Sequence, residues 1–554
     1  MSLIGVGLIA FTSGAVLGAG HVDPGARAVE SFAQAWERGD YTTMHGLLDA
    51  RARDAVSAES LAGAYGSAAQ TMTLSTLETG RPESVGDDVY ELPVAFRTRV
   101  FGVLRGRVRV PVSESSGGLG WQPAMVFPGL AAGEALERET RMPPRASILA
   151  RDGTALAEEP NRLTALGQST AEVTGTVGPV PPELSGRAAA RGLPPGTLIG
   201  LSGLEREHEA RLAGRPGGRL LAGNRVLAER EPERGRDVRS TIDPQIQAAA
   251  VEALAGRYGG AVAIDPADGE VLALAGIGAS APQPPGSVFK IITLAAALRH
   301  DEVKRSATFP VVTDVSLEGV RLENANGEAC GGSLRNAFAH SCNTVFAPLG
   351  VEVGAKRLVA MAESFGFNRS ASIPGAQPSS IPAAEEIGDD LAVGSTAIGQ
   401  GRVLATALQM ASVAATIAAE GVRRPPTVTL SEPAESTRAV PAAVADTISR
   451  HMVEVVASGT GTAAGIGGVR VAGKTGTAEL RSTVGIDPPA ESGTGPTAGI
   501  DDPSDTDAWF VAFAPERRPR LAVAVLLVGA GTGGATAAPA ARVVLQAGLE
   551  KSSG

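Results

Sequence analysis

The sequence predicts a multidomain α+β protein whose C-terminal half is an antiparallel sheet flanked by helices. Three observations predict this. The 554-residue chain has 43% apolar and 19% charged residues, the length and balance of a protein that buries more than one core. Its hydrophobic periodicity changes from helical to strand-like and back along the chain. Three short motifs, Ser287-Val-Phe-Lys290, Ser341-Cys342-Asn343 and Lys474-Thr475-Gly476, then follow one another in the second half.

Taken in order, residues 3–22 are apolar and uncharged over about the length that spans a bilayer. Residues 1–22 are therefore read as a membrane anchor or signal segment, with the rest of the chain outside the cytoplasm. No basic residue precedes the apolar run, which favours an uncleaved anchor over cleavage near Leu17-Gly18-Ala19. Next, Val29, Phe32, Ala33 and Trp36 have the spacing of an amphipathic helix that Gly39-Asp40 ends, and helical sequence continues to about residue 71. Residues 88–126 read as strands, most clearly in Arg107-Val-Arg-Val110, where alternation puts arginines on one face and valines on the other. Residues 24–136 are thus expected to form a small α+β domain.

Residues 137–238 are rich in Gly, Pro and Arg and show poor periodicity, which predicts an extended connecting or docking module. From 239 to 552 the texture is that of helices and strands around one core. Thr241-Ile-Asp243 leads a helix to about residue 258, and strands at 261–265 and 271–274 flank a hairpin turn at Ala267-Asp268-Gly269. Residues 469–474, 508–513 and 521–528 read as sheet strands, and 535–549 as a closing helix. The stretch 482–507 is acidic and rich in Gly, Pro, Ser and Thr, as expected of a mobile surface insertion.

The net charge of −10, with no basic stripe, argues against a nucleic-acid partner. The six histidines are scattered without ligand spacing, so neither a metal nor another cofactor is expected. The two cysteines, Cys330 and Cys342, either close a small disulfide loop beside Ser341 in an exported protein or stand as two buried thiols.

Lysine is scarce, with five in the whole chain, and two of the five fall in the three motifs. Each motif supplies a different part of one acyl-transfer reaction. Ser287, after Pro284-Pro285-Gly286, begins a helix, and Lys290 three residues on shares its face, as a general base must. Burial and the nearby cation of Lys474 would keep Lys290 neutral. Ser341 would pass a proton to the leaving amine, and Asn343 would fix Lys290 and a substrate amide. The Lys474 charge and Thr475 hydroxyl would hold a carboxylate, Gly476 lets a second backbone approach, and the backbone N–H groups of Ser287 and Thr477 would form an oxyanion hole.

Alone, Ser-x-x-Lys is ordinarily a helix-capping serine with a solvated lysine, and Ser-Cys-Asn a common turn. Only the set carries the chemistry. Two other patterns compete. Gly468-Val-Arg-Val-Ala-Gly473-Lys474-Thr475 satisfies the phosphate-loop spacing of nucleotide hydrolases, but its middle reads as strand and no long helix follows. Gly529-Ala-Gly531-Thr-Gly-Gly534 matches a dinucleotide fingerprint, yet only a closing helix remains after it.

At these residues the chain resembles the class B penicillin-binding proteins, membrane-anchored D,D-transpeptidases that crosslink peptidoglycan. Further matching stretches are Pro285-Gly-Ser-Val-Phe-Lys-Ile-Ile-Thr293, Ala397-Ile-Gly-Gln-Gly401, Leu408-Gln-Met-Ala411, Ala472-Gly-Lys-Thr-Gly-Thr-Ala-Glu479 and Ala508-Trp-Phe-Val-Ala-Phe513. Val288 stands where threonine is frequent, and Asp507 where a histidine often precedes Ala-Trp-Phe. The resemblance implies a penicillin-binding transpeptidase domain at 239–552, a pedestal or dimerisation-like domain at 137–238 and an NTF2-like domain at 24–136. It also implies that Ser287 attacks the D-Ala-D-Ala bond of a stem peptide, releases D-alanine and passes the acyl group to an amine acceptor. β-Lactam antibiotics would acylate the same serine, and a separate membrane glycosyltransferase would polymerise the glycan. A D,D-carboxypeptidase or β-lactamase on the same fold, and a non-catalytic β-lactam sensor, are the competing readings.

Overall fold

The computed structural model describes residues 23–86, 88–162, 167–370, 373–430, 435–479 and 506–550. The anchor expected at 1–22 and nearly all of the insertion expected at 482–507 lie outside them. Thr506 and Asp507 do not belong to an insertion: they open the Thr506–Ala514 strand. Among the described residues no helix is long and apolar enough to cross a membrane. The chain divides into two compact units, one of Met1–Pro143, Val180–Thr197 and Arg215–Glu233, the other of Pro144–Pro179, Leu198–Gly214 and Arg234–Gly554.

In the first unit four helices, Pro24–Glu37, Tyr41–Gly46, Ala50–Ala55 and Ala58–Thr71, each begin at a side chain that accepts a backbone N–H: Asp23, Asp40, Asp49 and Ser57. They cover a sheet in which Val89–Thr98 pairs along one edge with Leu74–Thr79 and Glu83–Gly86, and along the other with Gly102–Pro111. The alternation read at residues 107–110 is present, with Val108 and Val110 buried and both arginines exposed. The core is aromatic: Trp36 meets Tyr65 edge-on at 5.0 Å between centroids and Phe96 at 5.7 Å. The strands Leu74–Thr79 and Glu83–Gly86 are not legible in the sequence, because Leu74-Ser-Thr-Leu-Glu-Thr79 and Glu83-Ser-Val-Gly86 are too polar to show alternation.

The second unit is built on a five-stranded antiparallel sheet in the order Val271–Gly276, Gly259–Ile264, Leu521–Leu527, Thr506–Ala514, Ala472–Glu479. Helices Pro244–Leu254 and Ala538–Glu550 pack on the face that carries Ala263, Phe510 and Val525. The opposite face, with Val262, Trp509 and Leu526, packs on the helical core that includes Ala407–Ala418 and Lys290–Arg299. The Gly- and Pro-rich stretch read as a connecting module contributes to both units, and in this one Ile148, Leu156, Val173, Leu204 and Val238 join the large core. Its charged residues are also organised. Glu205, 1% exposed, accepts from Arg145 Nε at 2.7 Å and Arg162 Nε at 2.9 Å, while Arg145 reaches Glu209 at 2.7 Å.

Removing the shared carboxylate leaves the buried Arg162 guanidinium without its ion-pair partner and Arg145 with Glu209 alone. Glu205→Ala is expected to destabilise the second unit by about 3–5 kcal/mol in denaturant unfolding; a loss under ~1 kcal/mol would show that water replaces the carboxylate at little cost.

Candidate active site

Ser287 lies on a 3₁₀ turn, Gly286–Phe289, that runs directly into the helix Lys290–Arg299. The expected helix start is therefore tighter than an α-turn, and with three residues per turn Ser287 and Lys290 are brought onto one side. Gly286 makes this possible: its φ is +54°, and a Cβ there would fall 2.6 Å from the Thr477 carbonyl oxygen. Gly286 N–H donates to Gly399 O at 2.9 Å and Trp509 Nε1 to Pro284 O at 2.9 Å, which fixes the turn from two sides.

Ser341-Cys342-Asn343 is the short link between helices Leu334–Ala339 and Asn343–Val353. Ser341 has φ +59°, unusual for a side chain with a Cβ, so its conformation must be held by its neighbours. They are on hand. Lys290 Nζ donates to Ser341 O at 2.7 Å and to Asn343 Oδ1 at 2.6 Å. Asn343 Nδ2 in turn donates to Glu323 O at 2.9 Å. Cys342 is joined by a disulfide to Cys330 on the strand Cys330–Ser333, which ties the middle of the motif to a second element.

Lys474 and Thr475 stand inside the Ala472–Glu479 strand, which continues beyond the motif where the sequence reading ended it at Lys474. A phosphate loop requires a turn that leads into a helix, so that pattern is a coincidence of spacing. Lys474 Nζ donates to Ser341 Oγ at 2.9 Å, and Lys290 Nζ lies 3.3 Å from the same oxygen. The three motifs thus meet at one hydroxyl. Both lysines are fully buried, beneath Phe338 and Phe346. Burial, then the neighbouring Lys474 charge, hold the Lys290 amine well below its ordinary value, and burial brings Lys474 down to about 7.

Gly476 is where the strand meets the Ser287 turn, since a Cβ there would lie 2.9 Å from Pro285 O and 2.9 Å from Trp509 Cβ. Within a strand a residue's N–H and C=O point to the same side, so the Thr477 N–H, like its carbonyl, faces the Ser287 turn. Thr475 differs from its expected role. Its hydroxyl is buried and bonded to Thr460 Oγ1 at 2.6 Å, whereas Thr477 remains partly exposed. Sequence reasoning missed Thr460 and assigned no role to Trp509 or Gly399, which it named only within family-like stretches, because their contacts span 15, 225 and 113 positions.

Comparison with known proteins agrees with this geometry. Residues 259–546 match the penicillin binding protein transpeptidase domain, and residues 150–240 the penicillin-binding protein dimerisation domain. The chain belongs to the penicillin-binding protein transpeptidase family. It is 35% identical to the peptidoglycan D,D-transpeptidase PbpA of Mycolicibacterium smegmatis over 64% of this chain and 80% of the relative. Among solved structures it resembles the D,D-transpeptidase domain of a peptidoglycan glycosyltransferase from Eggerthella lenta, with 30% identity and a TM-score of 0.58, over 74% of this chain and 98% of that one. It also resembles penicillin-binding protein A from M. tuberculosis as a ceftriaxone acyl-enzyme, with 28% identity and a TM-score of 0.57, over 74% and 98%.

Two outcomes follow for this penicillin-binding protein. Between pH 7 and 10.5 the unfolded chain keeps a proton on Lys474 that the folded protein has lost, so this residue makes the fold more stable as pH rises. Lys474→Met should flatten that part of the stability profile by about 1.4 kcal/mol per pH unit in chemical denaturation; an unchanged slope would mean that Lys474 titrates normally. Replacing Cys330 and Cys342 by serine opens a loop of 12 residues and should lower stability by about 3 kcal/mol, read from melting with and without reductant.

Proposed function

We propose that the protein is a serine D,D-transpeptidase that crosslinks peptidoglycan stem peptides through a Ser287 acyl-enzyme and is inhibited covalently by β-lactams. The observation that carries this reading is the Ser341 hydroxyl held between Lys290 and Lys474, beside the Ser287 turn. A neutral lysine amine has two N–H groups and one lone pair, and Lys290 directs its donors to Ser341 O and Asn343 Oδ1. The lone pair is left to take a proton.

In the forward step Ser287 Oγ attacks the carbonyl carbon between the two D-alanines as its proton passes to Lys290. The oxyanion that forms is stabilised by the backbone N–H groups of Ser287 and Thr477. The C–N bond then breaks, the departing D-alanine amine takes a proton through Ser341, and the acyl group remains on Ser287. Lys474, with Gly476 and Thr477 along the strand, holds the donor's terminal carboxylate. An acceptor amine on a neighbouring strand then attacks the ester, gives up its proton to Lys290, and Ser287 leaves with a proton restored. The same acylation by a β-lactam ends at a slowly hydrolysed ester.

Residues 1–22 serve as the membrane anchor in this reading, with the catalytic domain at 239–552 outside the cytoplasm. Residues 24–136 form an NTF2-like domain and 137–238 the pedestal, and a membrane glycosyltransferase supplies the glycan strands. The four capped helices against a four-stranded sheet support the NTF2-like assignment.

Intact-mass analysis of the full chain with a penicillin tests the assignment. A single stable adduct is expected, absent in Ser287→Ala and formed about 10²–10⁴-fold more slowly in Lys290→Ala. Labelling of the serine variant at the wild-type rate would overturn it, and rapid return to the unmodified mass would make the protein a β-lactamase. The adduct should also form more slowly as pH falls and Lys290 takes up its proton, a direction set by the depressed value of that amine.

A further inference from the structure

A cavity of about 220 Å³ in the second unit takes no part in the chemistry above, and the charged groups that line it are of one sign. Arg369 and Arg423 both reach it. Among the described residues no carboxylate lies within ion-pair distance of either guanidinium. Arg423 is partly buried, and burial together with the Arg369 charge makes its protonated form costlier than in water. An arginine does not respond by losing its proton, so the recess retains uncompensated positive charge.

The position of Arg423 is built into the fold. Its Nε donates to Phe365 O at 3.1 Å, and the same carbonyl accepts Gln409 Nε2 at 2.8 Å. The guanidinium lies over Gly366, where a Cβ would fall 2.7 Å from both Nε and one terminal nitrogen. Gly366 has φ +109°, so glycine is required there by backbone and by space alike. The first turn of the 12-residue helix Ala407–Ala418, through Leu408 and Gln409, forms another wall and adds the positive end of its dipole. Leu408 and the prolines at 378, 425 and 426 supply apolar surface, and Ser370, Gln377, Ser379 and Thr406 complete the lining. Two cations and an amide set among apolar surface are the features of a ligand site.

We propose that this cavity is a second binding site that takes the free carboxylate of a short acyl-amino acid or peptide. The two guanidiniums hold the carboxylate, the Gln409 amide faces the adjoining peptide group, and Leu408 with the prolines receives the side chain. Planar, two-pronged recognition of this kind is what arginine does better than lysine.

Saturation-transfer NMR titration of the full chain with N-acetylalanine of either configuration tests this, beside N-acetylalanine amide and beside inorganic phosphate, which has no carbon-bound proton and is read by its displacement of N-acetylalanine, at ionic strength matched with sodium chloride. Saturable binding of one or both N-acetylalanines is expected, with the amide and phosphate each at least tenfold weaker. Arg423→Gln and Arg369→Gln should each weaken binding at least tenfold with an unchanged melting temperature, and Lys474→Ala should leave it intact. Arg369 is exposed, so its variant stays informative even if Arg423→Gln does not fold. No saturable binding would overturn the proposal. So would phosphate binding as tightly as the carboxylates, or binding that survives both arginine changes and disappears in Lys474→Ala.

Discussion

Two buried amines cannot both remain charged beside one hydroxyl. Lys290 and Lys474 reach the same Ser341 oxygen at 3.3 and 2.9 Å, which puts the two nitrogens no more than about 6 Å apart. At an effective dielectric of about 20 their repulsion is roughly 3 kcal/mol, added to the cost of removing each from water. The pair therefore settles with one proton fewer than two isolated lysines would hold, and the more strongly depressed Lys290 is the one that gives it up. A neutral amine and a cation are made from identical side chains by position alone. The fold must supply the burial that sustains this, and the large core on the Trp509 face of the sheet supplies it.

The cost is spread over neighbours whose purpose is geometric. Ser341 sits in a left-handed conformation that runs to about 1–3 kcal/mol of strain for a residue with a side chain. It is held by the Lys290 bond to its carbonyl, by the two amines at its hydroxyl and by the disulfide at the next residue. Gly286 and Gly476 contribute by omission, since a methyl group on either would meet backbone at under 3 Å. Positions without side chains thus matter as much to the site as the reactive groups do.

Much of this was legible in the sequence because the motifs are local. A serine and a lysine three residues apart, a serine and asparagine two apart, and a lysine on a β-strand each announce themselves in a few letters. The C-terminal sheet was legible too, since strands such as Leu521–Leu527 are continuous apolar runs. What could not be read depends on distant chain segments. Thr460 occupies the hydroxyl of Thr475, which from sequence alone looked free to bind substrate. The polar strands of the first unit are ordered by pairing with Val89–Thr98, and Thr506 and Asp507 read as the end of a polar insertion because a strand's first residues look like any loop until their partners are known. Whether Cys330 and Cys342 are bonded was equally undecidable, as spacing does not fix how two side chains point.

Among the described residues the Ala472–Glu479 strand ends the sheet, and its outer backbone at Gly476 and Thr477 faces the Ser287 turn. An unpaired strand edge is a template for any extended chain, including another copy of the protein, and most folds blunt such an edge with charge, proline or a bulge. Here it must stay open if a peptide is to lie along it. The Ser287 turn resolves the conflict by standing across the edge at Gly476 and Thr477, so that little backbone is left on offer. The turn that seats Ser287 against this strand thus also limits how much of its edge another chain could pair with.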